Sequence, residues 1–385
     1  RLRLIVAPQY LYSQNSDFQV IPYREDAAER RSVWANPFHP APGGIDLPLR
    51  MGTPPIHSVQ WGQSSLTLRL PIVEVGLSAE NVWWGPGMQN AILWGSQGAG
   101  VPSAFVRTQS PVTTRLGTFD AWYSVGSLRE SPFFDRTPSN DRRSMGAIAV
   151  SWRPARTIGV EVGFARLVIL ADNAPFSALV APLGSVGRPN GPDSLNTGRR
   201  DQITSLWTRW APPGAGFEAW AEWARFEEPA SLRDLLESPG HSQGYTVGLQ
   251  WARRVSGGST RIWGEATYLE PSPSLRLRPV GATYVSRSVP QGFTVRGQSL
   301  GAGIGPGASS QWMGGDFIHS RWRAGAYVAR VRWDNAALFT PVVPGVRRED
   351  ISLISGLRLG GDWRRVHLLL DWAHAVRLNY LFQAY

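Results

Sequence analysis

The segment FEAWAEW carries two carboxylates, the pair of residues that a glycosidase site uses. Glu218 and Glu222 fall on one face of an extended chain, with Trp220 between them. Glycosidases use two carboxyl groups that are about 5–10 Å apart across the sugar. Positions i and i+4 of one strand are ~13 Å apart, because a strand rises ~3.3 Å per residue. The pair is therefore too widely spaced for either glycosidase mechanism within one strand.

An aromatic ring flanked by charged groups is instead suited to binding a carbohydrate without cleaving it. An indole face packs on sugar C–H groups, while Glu and Arg form hydrogen bonds with hydroxyl or carboxylate groups. The segment RIWGEA repeats this arrangement, and the Arg doublet at 142 and 143 offers further donors. The carbohydrate-binding candidates are Glu218, Trp220, Glu222, Arg142, Arg143, Arg261, Trp263 and Glu265. The alternative is that these side chains only fill and solvate the interior of the fold.

The pentapeptide GHSQG at 240–244 matches the G-x-S-x-G pattern of serine hydrolases. In those enzymes the nucleophile follows a strand and precedes a helix. Here the order is reversed: the segment SLRDLLES at 231–238 predicts a short helix with Ser231 as its N-cap, and the strand YTVGLQW follows Ser242. An esterase acting through Ser242 is a minor alternative, and we expect a protein that is not an enzyme.

The composition removes most other chemistry. The chain has no Cys, and each of its 39 basic residues is Arg, so it has no Lys. Thiolate metal sites, cysteine nucleophiles, the Walker A motif and Schiff-base catalysis are therefore excluded. The six His residues show no metal-ligand spacing. We expect neither a metal nor a cofactor.

The elements that must position these residues are strands, because the dominant hydrophobic period is two. Tyr245, Val247, Leu249 and Trp251 alternate with small or polar residues. Further alternating segments lie at 65–70, 146–152, 158–164, 259–268, 323–333 and 351–359, and Gly, Pro and Ser occupy connections such as APPGAG and GLRLGGDW. No stretch approaches the ~20 apolar residues of a membrane helix.

The strand pattern favours a transmembrane antiparallel β-barrel over a large soluble all-β protein. Aromatic residues edge the apolar faces, at Tyr245, Trp251, Tyr268, Tyr327 and Trp333, as in the lipid-facing band of outer-membrane barrels. The aromatic-rich segment RLNYLFQAY is typical of a final strand of such proteins. At roughly 20 residues per strand, the chain supplies about 16–18 strands.

We expect one barrel domain over residues 1–385. Residues 1–60 form its N-terminal segment and first strands, and the short helix lies in a loop at 229–240; a second short helix is predicted at 24–31. A barrel of this size is wide enough for a channel or a plug. RLRLIVAPQY has no apolar signal core, so any secretory signal has been removed or was never present. From the barrel pattern we expect an integral bacterial outer-membrane protein that has lost its signal peptide.

The net charge of +10 allows nucleic acid, a membrane surface or an acidic polymer as partner. Arg occurs singly or as doublets, without a basic run or a nucleic-acid-binding motif, so we expect no nucleic acid. Within a barrel, Arg would instead meet lipopolysaccharide phosphates or sugar acids through bidentate hydrogen bonds.

Two segments resemble the Wzi family of capsule-assembly outer-membrane proteins. ENVWWGPGMQNAILWGSQGAG at 80–100 is similar to the family's W-G-P…N signature, and GFTVRGQSLGAGIGPGASSQWMGGDF at 292–317 is similar to its G-Q-x-L-G…G-P-G stretch. The matching positions are Trp83, Trp84, Gly85, Pro86, Asn90, Gly297, Gln298, Gly305, Pro306 and Gly307. We expect Gly85 and Pro86 to form a backbone turn rather than to contact a ligand.

The resemblance implies a large outer-membrane barrel whose lumen is occluded by loops, acting as a lectin that helps to assemble or attach exported capsular polysaccharide. It also implies contacts with outer-membrane lipid, with lipopolysaccharide and with the polysaccharide export machinery. The long helical segment that some members use as a periplasmic bundle is not evident in this sequence. The main alternative is a porin or a substrate-specific channel, which depends only on the size of the barrel.

Overall fold

The computed structural model describes residues 1–18, 45–135, 137–155, 159–184, 199–227, 232–272, 281–286, 288–334, 349–363 and 366–380. Its strands are β1 Leu2–Ile5, β2 Gln9–Ser13, β3 Ile56–Gln60, β4 Ser65–Arg69, β5 Val73–Ser78, β6 Ser103–Thr108, β7 Val112–Thr114, β8 Gly117–Arg129, β9 Arg142–Pro154, β10 Val160–Leu170, β11 Arg200–Trp210, β12 Phe217–Arg225, β13 Gln243–Val255, β14 Gly258–Tyr268, β15 Thr294–Val295, β16 Gln298–Ser299, β17 Ser309–Ile318, β18 Trp322–Trp333, β19 Asp350–Trp363 and β20 Val366–Leu378. The helices are α1 Pro175–Val180 and α2 Leu232–Glu237, and a 3₁₀ turn covers Ala181–Leu183.

One antiparallel sheet of 16 strands forms the wall of a transmembrane β-barrel. Its order is β1-β4-β5-β6-β8-β9-β10-β11-β12-β13-β14-β17-β18-β19-β20, with β7 paired to β8; β2–β3 and β15–β16 form separate two-stranded sheets. Within the described residues, β1 and β20 are the edge strands and no ladder joins them. The predicted all-β antiparallel fold and its strand number are confirmed.

The outer face of the wall is apolar, as the alternation predicts. In β13, Val247, Leu249 and Trp251 are exposed, whereas Thr246, just before them on the opposite face, is buried inside. The exposed apolar side chains of the outer wall are the surface that lipid covers in such barrels. The prediction that Tyr327 and Trp333 edge the outer apolar face was wrong. Both lie on the same face of β18 as the buried Val331, so they face the lumen.

The connections differ strongly between the two ends of the barrel. Short turns such as 70–72, 211–216, 256–257 and 319–321 lie at one end, here called the short-turn end. The long connections, which join β5 to β6, β8 to β9, β10 to β11, β12 to β13, β14 to β17 and β18 to β19, begin and end at the other, here called the loop end. The prediction of a turn at GLRLGGDW was wrong, because these residues belong to β19. Gly356 in that segment instead gives space to the ring of Tyr327 on the neighbouring strand.

Two internal segments fill the loop end of the lumen. We call residues 79–102 the first plug segment, and residues 281–286 with 288–308 the second plug segment. Their apolar side chains pack with those on the inner faces of the strands, in a core that includes Trp84, Ile92, Trp94, Tyr284, Phe293, Leu300, Leu128, Met145, Leu167 and Ile203. The expected occlusion of the lumen by loops is therefore present at this end.

The helices of the structure are short. The predicted helix at 231–238 is present as α2, but its proposed N-cap Ser231 and the helix predicted at 24–31 lie outside the described residues. Among the described helices, none is both long and apolar enough to cross a membrane.

Candidate functional site

A cavity of about 570 Å³, here called the vestibule, occupies the short-turn end of the lumen. Its size is in the usual range for ligand pockets. It is lined by Trp83, Trp84, Gly85, Pro86, Gly87, Met88, Asp120, Ala121, Trp122, Ala149, Val150, Ser151, Glu161, Trp207, Arg209, Glu218, Gln250 and Arg261. Residues 83–88 of the first plug segment form its floor, and strands β8 to β14 form its wall.

The Glu265 carboxylate holds the floor of the vestibule in place. It accepts hydrogen bonds from three successive backbone N–H groups, those of Met88, Gln89 (2.9 Å) and Asn90 (3.1 Å). The side chain of Asn90 donates in turn to Ser310 on β17, at 3.1 Å. Glu265 is 3% exposed, and its carboxylate is occupied by these N–H groups of the plug.

The turn at Gly85 requires glycine for two reasons. Its φ of +101° lies in the left-handed region, and an added Cβ would lie 2.5 Å from Oε2 of Glu222. Trp83 donates from its indole Nε1 to the carbonyl oxygen of Gly87 at 2.7 Å, which closes the turn over Pro86. The backbone bends at Gly85 and Pro86, and both residues also line the vestibule, so their role as a turn without ligand contact stays a prediction.

The two signature segments contact each other inside the barrel. Ala99 N–H donates to Oε1 of Gln298 at 2.9 Å, and Gly95 N–H donates to the carbonyl oxygen of Leu300 at 2.7 Å. The remaining signature positions Gly297, Gly305, Pro306 and Gly307 lie in turns of the second plug segment, where each of the three glycines has a positive φ. The segments that carry the resemblance thus build the plug.

The wall of the vestibule carries a tryptophan that lies flat on the sheet. Trp207 on β11 is directly opposite Gly163 on β10, and an added Cβ at Gly163 would lie 1.9 Å from the indole ring. The same pairing recurs at Trp220 with Gly248 and at Trp263 with Gly314. Glycine leaves room for the ring to lie against the wall, so one ring face points into the lumen.

Trp207 is a wall residue that sequence reading missed. Its signal is a glycine directly opposite an aromatic residue on the inner face, which becomes visible only when the pairing of the strands is known. Of the three flat tryptophans, Trp207 lines the vestibule, whereas Trp220 and Trp263 are 4% and 3% exposed.

Hydrogen-bonding groups surround the face of Trp207. Arg209 pairs with Glu218, whose second carboxylate oxygen accepts a 2.8 Å hydrogen bond from Gln250. On β14, Arg261 donates from Nε to Asp316 at 2.8 Å. Both arginines of the vestibule are therefore already bound by carboxylates. The wall offers fixed donors and acceptors rather than an excess of positive charge.

The structure separates the eight carbohydrate-binding candidates into three places. Glu218 and Arg261 line the vestibule, while Trp220, Glu222, Trp263 and Glu265 are buried beneath its floor. Arg142 and Arg143 lie at the loop end, where Arg142 is exposed and Arg143 is buried against the second plug segment. As ligand contacts, all eight stay predictions.

Ser242 lies in a turn between α2 and β13, so the reversed order of elements is confirmed. Its hydroxyl oxygen accepts a 2.9 Å hydrogen bond from the backbone N–H of Glu227, and the side chain is buried. In the described part of the chain, no three His, Asp or Glu side chains are grouped as metal ligands.

A search of solved structures finds the same architecture in an outer-membrane protein of Escherichia coli. The fold is similar to that of Wzi. The E. coli protein is a carbohydrate-binding β-barrel involved in group 1 capsule assembly; it matches with a TM-score of 0.62 and 12% identity over 82% of this chain. The present chain spans 66% of the length of that protein.

Two Pseudomonas aeruginosa proteins also match, with lower TM-scores. OccK2 (OpdF) in complex with glucuronate has a TM-score of 0.41 at 11% identity, over 85% of this chain and 77% of its own. OccK8 (OprE) has a TM-score of 0.41 at 9% identity, over 87% of this chain and 80% of its own. No protein-family model and no curated protein sequence matches the chain.

Proposed function

We propose that this protein is a non-enzymatic outer-membrane barrel that binds a glycan of an exported capsular or surface polysaccharide in the vestibule. The observation that carries the proposal is the face of Trp207, held flat by Gly163 and flanked by the Arg209–Glu218–Gln250 group. A sugar ring packs its C–H groups on such a face while its hydroxyls exchange hydrogen bonds with the flanking groups.

The preorganisation of the vestibule supports this proposal. Arg209 and Glu218 orient each other, and Gln250 fixes the second oxygen of the carboxylate. Groups that are held before the ligand arrives lose little conformational entropy on binding. A hydroxyl-rich sugar fits this set of paired charges, and an acidic sugar would have to compete with Glu218 and Asp316 for the arginines.

The location of the protein in the outer membrane and its orientation there are also part of the proposal. The protein spans the outer membrane after loss of a secretory signal, with the short-turn end toward the periplasm, where such barrels have their short turns. The vestibule then faces the side from which exported polysaccharide arrives. Assistance in capsule assembly or attachment, together with the export machinery as a partner, is the role proposed here on the likeness to Wzi.

A glycan screen followed by titration tests the binding site. Purified protein is screened against neutral and uronate-containing oligosaccharides, and the best ligand is titrated against Trp207→Ala and Trp251→Ala. Loss of the stacking face should weaken binding roughly threefold to tenfold in Trp207→Ala. Trp251 is the matched control, because its ring lies on the outer wall.

Two results would reject the proposed site. One is the absence of any glycan that binds the wild-type protein, and the other is equal affinity of the two Trp variants. If the uronate ligands bind better than their neutral counterparts, the preference for hydroxyl-rich sugars is wrong, although the site stands.

The alternative function is a channel, and planar bilayers separate it from a lectin. The two plug segments close the loop end, so we expect little or no steady current through the wild-type protein. A stable open-pore current would favour a porin-like function. In cells, deletion of the gene should release capsule into the medium while synthesis continues.

A further inference from the structure

A second cavity lies on the outside of the barrel and shares no lining residue with the vestibule. It is an apolar groove of about 630 Å³ on the outer wall across β1, β4, β5, β6 and β8, toward the loop end. Its lining includes Leu4, Leu66, Leu77, Ala104 and Val125. We call it the outer-wall groove.

One row of directly paired residues forms the base of this groove. Leu4 pairs with Leu66, Leu66 with Leu77, Leu77 with Ala104, and Ala104 with Val125. Large exposed leucines occupy β1, β4 and β5, whereas the next position, on β6, is Ala104. The small side chain of Ala104 makes a depression that the leucines border on one side.

A segment from the loop end borders the groove on its other side. Asn173 and Pro175, at the start of α1, line it. The row of paired residues continues from Val125 to Gly146, where an added Cβ would lie 2.0 Å from the carbonyl oxygen of Ala178 in α1. α1 is therefore packed directly on the outer wall and does not extend away from it.

Polar contacts fix this segment on an otherwise apolar surface. Arg166 is buried on the outer side of β10 and donates to the carbonyl oxygens of Pro182 (3.2 Å) and Gly184 (2.6 Å) and, from Nε, to Gln202 (2.7 Å). The Tyr123 hydroxyl donates to the carbonyl oxygen of Leu179. A buried arginine without such acceptors would be costly, so these contacts hold the border of the groove in position.

The surroundings of the groove are apolar and exposed. Trp61 and Val6 stand at its edge, and α1 directs Phe176 and Val180 away from the wall, with Phe176 85% exposed. The groove is continuous with the lipid-facing band of β4 to β6. In a bilayer this whole surface is in contact with hydrocarbon rather than with water.

We propose that the outer-wall groove holds one acyl chain of a membrane lipid. The depression at Ala104, the raised leucines and the fixed α1 border give a chain-shaped site within the lipid-facing surface. A lipid seated there exchanges more slowly than the lipids that cover the flat parts of the wall. The inference is independent of the glycan-binding function.

Lipid retention measured by native mass spectrometry tests the groove. The protein is reconstituted with dioleoylphosphatidylethanolamine, exchanged into detergent and weighed intact, next to Ala104→Trp and Ala221→Trp. Ala104→Trp fills the depression, while Ala221→Trp adds the same ring to the outer face of β12, outside the groove. Heat-modifiable migration on gels confirms that each variant is folded.

We expect one retained lipid on the wild type and on Ala221→Trp, and at least a fivefold lower retained fraction on Ala104→Trp. Absence of lipid on the wild type, or equal retention by the two variants, overturns the proposal. A mass that corresponds to a dimer without lipid also overturns the proposal, because a second copy of the chain would then occupy the groove.

The absence of Cys allows a second measurement without a bulky substitution. Ala104→Cys and Ala221→Cys are labelled with bimane and placed in bilayers that contain brominated phospholipid. Quenching of the label at position 104 should reach half of its maximum at a severalfold lower fraction of brominated lipid than quenching of the label at position 221. Identical quenching curves would contradict a preferred acyl-chain site.

Discussion

The two halves of the lumen use arginine in opposite ways. At the loop end, Arg143 is fully buried and donates to the carbonyl oxygens of Gly292 (2.8 Å) and Thr294 (2.9 Å), so it fastens the second plug segment to β9. In the vestibule, Arg209 is close to half exposed and pairs with Glu218 beside open space. One half is packed like a protein core, and the other keeps its polar groups accessible.

If the proposed function holds, this difference gives the two halves separate tasks. Buried polar groups must be satisfied by the protein itself, so they contribute to a fixed structure. Exposed, mutually oriented groups retain hydrogen-bonding capacity for a ligand. We therefore expect substitutions at the loop end to change the stability of the barrel, and substitutions in the vestibule to change ligand affinity.

The largest expected effect is that of Arg143→Ala. The substitution removes two hydrogen bonds from a charged group to buried carbonyl oxygens, each of which contributes about 1.5–3 kcal/mol, although the carbonyl oxygen of Gly292 still accepts the N–H of Thr294 at 3.0 Å. The free energy of unfolding in urea should fall by about 2–5 kcal/mol, with glycan affinity unchanged in the folded fraction. Arg142→Ala is the matched control, since Arg142 is the exposed neighbour and should change stability by less than about 0.5 kcal/mol.

Equal effects of the two Arg substitutions would contradict the assignment of Arg143 to the plug. Loss of glycan binding in Arg142→Ala would instead support the sequence prediction that this arginine contacts the ligand. The comparison therefore tests both interpretations of the doublet.

A smaller effect is expected from the flat tryptophans, and it should differ between the two halves. In Gly163→Ala, the new Cβ would lie 1.9 Å from Trp207, whose ring can tilt into the vestibule. We expect glycan affinity to fall roughly threefold to tenfold with little change in stability. In Gly314→Ala, the Cβ would lie 2.5 Å from the buried Trp263, which has no space to move. Stability should then fall by about 1–3 kcal/mol while affinity is kept.

Titration of the glycan and urea unfolding of both Gly variants provide the measurements. If Gly314→Ala weakens binding as much as Gly163→Ala does, the division of the lumen into a structural and a binding half is wrong.

The alternation of side chains along the strands was readable from the sequence, but their accessibility was not. Glu218 and Glu222 share one strand face, as predicted, yet Glu218 borders the vestibule and Glu222 is 2% exposed. The cause is the first plug segment, more than a hundred residues earlier in the chain, which covers one carboxylate and stops short of the other. The alternation of side chains predicts the face on which a residue lies. Whether that residue is buried depends on the path of the plug, which the alternation does not predict.

The glycines of the wall show the same limit. A glycine within an alternating segment indicates a turn or a close approach, and the sequence alone favoured a turn at GLRLGGDW. The register of β18 and β19 shows the close approach instead, because Gly356 lies opposite Tyr327. Pairing between strands is therefore the information needed to predict both the flat rings and the vestibule wall.

The smallest predicted effect is a pH dependence at the loop end. Burial, together with the nearby carboxylates of Asp135, Asp46 and Asp141, raises the pKa of Glu130 from its usual 4.5 to about 7, against a hydrogen bond from Gln291. The folded protein therefore binds a proton that the unfolded chain has lost between pH 4.5 and 7. The stability that this proton confers is present at low pH and is lost as the pH rises through 7.

The loss should stay below about 1 kcal/mol, because solvent screens a half-buried carboxylate. Urea unfolding at pH 5 and pH 8 measures it as the difference between the wild type and Glu130→Gln, which cannot ionise at this position. The wild type should lose more stability over this interval than the variant does. An equal or smaller loss in the wild type would show that Glu130 is ionised at both pH values, and would remove protonation from the forces that stabilise the packed half of the lumen.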